Sequence, residues 1–236
     1  MRLRVRFAKT GKVRFLSHRD VARVWERALR RAGVQVAYSE GFSPRPKLSF
    51  GLALSTGYES RGEYLDIDLV DAMEPDELAG RVGPALPRGI TAQTAVAIPL
   101  GTDSLQQAVV SSTWRLEILS ADPIGLSDVV ERSLAAPSLP IVVERKGSPS
   151  PLDARPAILS LSVDAGSTLH TELATQPRSL RPAELVRALD PTWGLGRVVR
   201  THQWTLVDGA RCEPIPWGDL AASGATSTPP AYGRAS

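Results

Sequence analysis

Residues 2–8 alternate strictly, with Leu3, Val5 and Phe7 on one side and Arg2, Arg4 and Arg6 on the other. A period of two belongs to a β-strand with one dry face. The apolar side must be covered, and the arginine side reads as solvent-facing. After the turn Thr10-Gly11-Lys12 the period changes. Residues 13–16 lead into Ser17, a helix N-cap, with Asp20 three positions later as the capping-box acid. Val21, Val24, Ala28, Leu29 and Ala32 then recur at helical spacing, and Gly33 supplies the stop. Strand then covering helix is the start of a layered α+β unit.

Strands over 47–54 and 63–69, with Gly57 in their connection, a helix over 75–86 and a strand over 89–98 complete the order β-α-β-β-α-β. That is the ferredoxin-like pattern. The second half reads similarly, beginning with a strand over 113–119, a helix over 126–134 and a strand over 141–145. A Ser/Pro-rich loop over 146–155 and a hairpin of 157–163 with 169–174 follow. The hairpin turns around Asp164-Ala165-Gly166-Ser167, and a helix over 182–189 and a strand over 198–207 close the half. The expectation is an α+β fold of two tandem ferredoxin-like domains, 1–99 and 112–220, the second with an inserted hairpin. Residues 100–111 would be the linker, and 221–236, rich in Ala, Ser, Thr, Gly and Pro, a disordered tail. The halves share no sequence repeat, so the duplication is one of topology.

Charge is unevenly spread. The net charge is +3, but residues 1–50 carry thirteen Lys/Arg against three acids, and the rest fifteen against twenty-two. Arg outnumbers Lys 24 to 4, a compositional bias that explains the choice of Arg but not the missing acids. A basic face built from the first fifty residues is the electrostatic footprint of a phosphate-bearing partner. A single cysteine, Cys212, and three scattered histidines argue against an internal disulfide, a metal centre or an iron–sulfur cluster. No run approaches the ~18 apolar residues of a membrane helix, and the first residues lack a signal-peptide core, so a cytoplasmic protein without membrane contact is expected. Nothing calls for a cofactor.

Residues 14–50 hold the candidate site. Arg19, Arg23, Arg27 and Arg31 recur every fourth residue of the helix, with Arg30 beside them, a guanidinium row opposite the apolar stripe. Glu26 precedes Arg30 by four and is placed to neutralise it. Next comes Tyr-Ser-Glu-Gly-Phe-Ser-Pro-Arg-Pro-Lys-Leu-Ser-Phe, residues 38–50. Pro44 and Pro46 stiffen a loop that displays Tyr38, Phe42, Arg45 and Lys47, suited to stacking bases and contacting phosphates. Phe50 falls within strand alternation and reads as a core anchor. His18, in the first helical turn, is the candidate general base toward a ribose hydroxyl, but no second base, carboxylate pair or nucleophile motif accompanies it. The acids Glu59, Glu63, Asp66, Asp68, Asp71, Glu74, Asp76 and Glu77 raise a cation site. Asp66 and Asp68, however, alternate with Leu65, Ile67 and Leu69, which fits the solvent face of a strand, able to balance the basic helix, better than a metal role.

Arg-Phe-Leu-Ser-His-Arg-Asp (14–20), Glu-Arg-Ala-Leu-Arg-Arg-Ala-Gly (26–33) and the 38–50 block together resemble the bacterial radical SAM-linked proteins. The resemblance continues weakly over 57–66, and the same domain is similar to the C-terminal extension of some larger radical SAM proteins. The family pattern more often has Leu at Arg19, Asn at Ser43 and His at Arg45, so the loop keeps a cation but not the histidine. The resemblance implies association with a radical SAM enzyme and a setting shared with RNA-processing genes. This chain lacks the three cysteines such an enzyme needs for its cluster. The expected function is a non-catalytic, RNA-binding or substrate-presenting accessory of a radical SAM enzyme. The alternatives are a metal-independent endoribonuclease using His18 and a module that docks on the enzyme without RNA.

Overall fold

The computed structural model describes residues 1–119, 123–145, 147–164 and 167–215. In the first half β1 (Arg2–Lys9), α1 (His18–Arg31), β2 (Leu48–Phe50), β3 (Glu59–Asp68), α2 (Pro75–Val82) and β4 (Ile90–Ile98) follow in order. A short α3 (Leu105–Ala108) leads into β5 (Val109–Leu119), α4 (Pro123–Ala135), β6 (Pro140–Arg145) and β7 (Ser148–Asp153). The second half closes with β8 (Ile158–Asp164), β9 (Thr168–Ala174), α5 (Pro182–Leu189), β10 (Gly194–Val207) and β11 (Ala210–Cys212). The protein is a mixed α+β structure with a mostly antiparallel sheet, and no described helix is long and apolar enough to cross a membrane.

One nine-stranded sheet runs β4-β1-β3-β10-β5-β9-β8, with β2 on β3 and β11 on β10; β6 and β7 form a separate ribbon. Every pairing is antiparallel except β3 with β10, where Val199 lies opposite Glu59 and Arg200 opposite Ser60. The helices α1, α2, α4 and α5 cover one face. In the first half Trp25 of α1 meets Phe7 edge-on at 5.1 Å, and Phe50 meets Phe7 at 6.4 Å. In the second half Leu126, Val130 and Leu185 of α4 and α5 pack on Leu116, Ile118 and Leu169.

Several expectations change. The strand expected over 47–54 shortens to β2, because β10 takes the remaining edge of β3 and the Leu52 carbonyl turns to accept from Arg200 Nη2 at 2.7 Å. The linker 100–111 contains α3, whose Leu105 is buried, and the start of β5. The loop expected over 146–155 contains β7, paired throughout with β6. Its Pro149 and Pro151 are tolerated because a two-stranded ribbon has only edge strands. Residues 146, 165 and 166 and the tail 221–236 lie outside the described residues.

The largest correction concerns charge. Arg4 is buried rather than solvent-facing, and its Nε and Nη2 donate to the Asp66 carboxylate at 2.7 and 2.9 Å. Its Nη1 reaches the Pro214 carbonyl at 2.9 Å. Arg2 pairs with Asp68, and Arg6 reaches Tyr64, Gln93 and Glu213. Residues 212–215 cross this face, and Ile215 joins Tyr64, Val96, Ile98 and Leu105 in a small apolar cluster. Asp66 and Asp68 thus neutralise strand arginines and leave the helix arginines alone. Glu59 and Glu63 are buried as well, so the β3 part of the acidic run is no solvated face, while Asp71, Glu74, Asp76 and Glu77 beyond it are exposed.

At the joint, Arg200 Nη2 donates to both Glu63 oxygens at 2.6 and 2.7 Å, and Nε donates to Oε1 at 2.9 Å. The Arg200 guanidinium lies 5.3 Å from the centre of the Trp114 ring. Replacing Arg200 with Met leaves a buried, uncompensated carboxylate and should lower the unfolding free energy by about 3–5 kcal/mol. Adding Glu63→Leu should recover most of that loss, and urea denaturation of both variants measures it. The Arg2 guanidinium holds the Asp68 carboxyl below its usual range, chiefly through the hydrogen bond. A depressed folded value means its stabilisation is complete above about pH 4 and is lost as pH falls through that value. Asp68→Asn should therefore flatten the acid limb of the stability curve.

Candidate functional site

The N-terminus of α1 is fixed by Ser17, whose Oγ accepts the Asp20 N–H at 3.2 Å while its hydroxyl donates to Asp20 Oδ2 at 2.6 Å. That hydroxyl bond is the main reason the Asp20 carboxyl sits below its ordinary value. At the other end Gly33 takes φ +67, and Arg81 of α2 donates to the Ala32 and Gly33 carbonyls. Burial of Val21, Trp25, Ala28 and Leu29 sets the rotation of the helix. Arg19, Arg23, Arg27, Arg30 and Arg31 are consequently all exposed. Arg23 pairs with Asp20 at 3.4 Å; among the described residues the other four have no ion-pair partner, and Glu26 does not pair with Arg30.

Residues 37–47 form a hairpin-like arm off the end of β3. The Ala37 N–H donates to the Asp68 carbonyl at 2.7 Å, and Lys47 N–H to the Ala37 carbonyl at 2.8 Å. Ser39 and Arg45 close the next rung, with Ser39 N–H on the Arg45 carbonyl at 2.9 Å and Arg45 N–H on Ser39 Oγ at 3.0 Å. Pro44 and Pro46 flank Arg45, whose N–H and carbonyl make both bonds of this rung, so their missing donors cost the ladder nothing. Gly41, at φ +118, turns the tip. Phe42 is fully exposed, Tyr38 is 57% exposed, and Arg45 and Lys47 face solvent. A groove of about 170 Å³ is lined by Glu26 and Arg30 of α1 and by Tyr38 and Pro46 of the arm. Helix and arm therefore share one surface. Arg19, a first-turn residue, stands about 16 Å up the helix axis from Arg30.

His18 is exposed and meets Phe50 edge-on at 5.3 Å. It lines a small cavity of about 10 Å³ with Phe7, Lys9, Phe50 and Glu63, room for roughly one water. Lys9 is buried there, its ammonium on the Arg14 and Leu16 carbonyls at 3.2 and 2.8 Å, and burial pushes its pKa down. The signal for Lys9 was its odd-numbered place after Leu3, Val5 and Phe7. Also missed was a second basic groove, of about 290 Å³, lined by Arg61, Arg115 and Arg197 on the face away from the helices. These arginines come from three separate strands, so no local spacing announces them.

The family model described as "Uncharacterized protein conserved in bacteria" (DUF2344) matches residues 2–182. The match takes in all of the first half, including α1 and the arm, and much of the second. The chain belongs to that bacterial family. No curated protein matches it.

Display and anchoring should separate on mutation. Tyr38→Ala and Phe42→Ala should change stability by less than about 0.5 kcal/mol. Phe50→Ala, which removes a ring from the Phe7 cluster, should cost about 3 kcal/mol. Thermal unfolding of the three variants provides the check.

Proposed function

We propose that the protein binds RNA across the α1–arm surface and presents it to a radical SAM enzyme without performing chemistry itself. The observation that carries this is the shared surface: an arginine row in which four members have no ion-pair partner among the described residues, beside an arm bearing exposed aromatics and cations. Arg19, Arg23, Arg27, Arg30 and Arg31 contact phosphates, Tyr38 and Phe42 stack on unpaired bases, and Arg45 and Lys47 flank them. Support for the radical SAM partner comes from the motif resemblance over 14–50, and the single cysteine requires the cluster to reside in another polypeptide or domain. In this reading each half is a ferredoxin-like unit. The strand orders support it: β4-β1-β3-β2 in one half and β10-β5-β9-β8 in the other, each antiparallel between neighbours.

Fluorescence anisotropy with a labelled single-stranded RNA tests the reading. Arg23→Ala/Arg27→Ala/Arg31→Ala should weaken binding at least roughly tenfold, and the slope of log K against log salt should shrink by about 2. Unchanged affinity in the folded triple variant would sink the RNA assignment and leave this face as a protein-docking surface.

A further inference from the structure

We infer that the groove across β3, β10 and β5 is a second anion site, built for phosphate groups and separate from the α1–arm surface. Its walls are Arg61 of β3, Arg197 and Thr201 of β10, Arg115 and Glu117 of β5, and Thr168 of β9, over a floor at Val199. Arg61 and Arg115 are exposed and, among the described residues, have no hydrogen-bond or ion-pair partner. Arg197 is held in place by the buried Glu59, whose Oε2 accepts Nη2 at 2.5 Å and Nε at 3.1 Å. The one acid in the lining, Glu117, accepts the Arg197 backbone N–H at 3.0 Å.

Arg61 and Arg115, on the strands either side of β10, carry charge that no described acid pairs with, and an incoming anion neutralises it while meeting the guanidinium that Glu59 already holds. That guanidinium is oriented in advance, which lowers the ordering cost of binding. The cavity, about 290 Å³, is larger than a lone carboxylate needs. Its free donors are guanidiniums and the Thr168 hydroxyl, since the Thr201 hydroxyl donates to the Thr113 carbonyl at 3.2 Å, and among the described residues no aromatic ring lines it, so it reads phosphate oxygens and not bases. Among the described residues nothing covers this face, since α4 and α5 lie on the opposite side of the second half, whereas in the first half residues 212–215 and α3 close the corresponding face.

Isothermal titration of the full chain with inorganic pyrophosphate tests this site independently of the proposed function. Pyrophosphate should bind the wild type, and Arg61→Ala/Arg115→Ala should weaken it by roughly tenfold or more. Arg23→Ala/Arg27→Ala/Arg31→Ala should leave it unchanged. Absent binding, or equal binding by the Arg61/Arg115 double variant, overturns the site. A short oligouridylate added to the α1 triple variant separates the sources. Displacement of pyrophosphate identifies RNA phosphodiesters as the ligand, and no displacement identifies a free phosphate ester; either result upholds the groove.

Discussion

The bidentate pair between Glu63 and Arg200 is the interaction on which the molecule's unity depends. Only two register pairs join β3 to β10, and both lie beside this buried pair. Arg200 comes from the last long strand, Glu63 from the middle of the first half, and the same guanidinium takes the Leu52 carbonyl and lies over Trp114. Removing two charges from water costs several kcal/mol per ion, and the return depends on full hydrogen-bonding geometry. Here that geometry exists only in one register. Sliding β10 along β3 would strand a carboxylate and a guanidinium in the interior, so the pair selects the joint even where apolar side chains would hold it as strongly.

From that joint follow the two faces of the sheet. The helix-covered face is closed in both halves, and its outward consequence is α1, turned by Trp25 and Leu29 so that its arginines meet solvent. The other face is asymmetric. Arg2, Arg4 and Arg6 are matched by Asp68, Asp66 and Glu213, which makes the first half's positive strand electrically quiet. Across the joint Arg61 and Arg115 have no partner among the described residues and line one groove with Arg197, which Glu59 holds. The basic excess of residues 1–50 is thus concentrated on α1 and the arm, while a second positive patch arises from residues scattered over the remaining chain.

Much of the candidate surface was legible because its signals are local. Arginines four apart on an amphipathic helix must share a face, and the opposite Val/Leu stripe says which face is buried. Prolines around Arg45 foretell a stiff loop, and Phe50's strand parity foretells its packing against Phe7. That Arg30 and Tyr38 line one groove was not legible, because it depends on how both ends of the arm, Ala37 and Lys47, bond to Asp68 of β3. Nor were the partners of Asp66 and Glu63 legible, since each lies more than sixty residues away along the chain. An aspartate alternating with Leu65 and Ile67 looks solvated until a second layer covers it.

What the sequence by itself determined is period: where most of the strands and helices run, which side of each carries the apolar core, and that the first fifty residues are short of acids. These depend on contacts within a few residues, where φ/ψ preference and spacing are sufficient. Tertiary structure alone decided which charges are answered. Ion pairs between strands form at positions set by register and by the chain segment lying above, neither of which local spacing encodes. That is why Arg4, written like its neighbours, is buried against Asp66, while Arg61 and Arg115 are exposed and have no partner among the described residues.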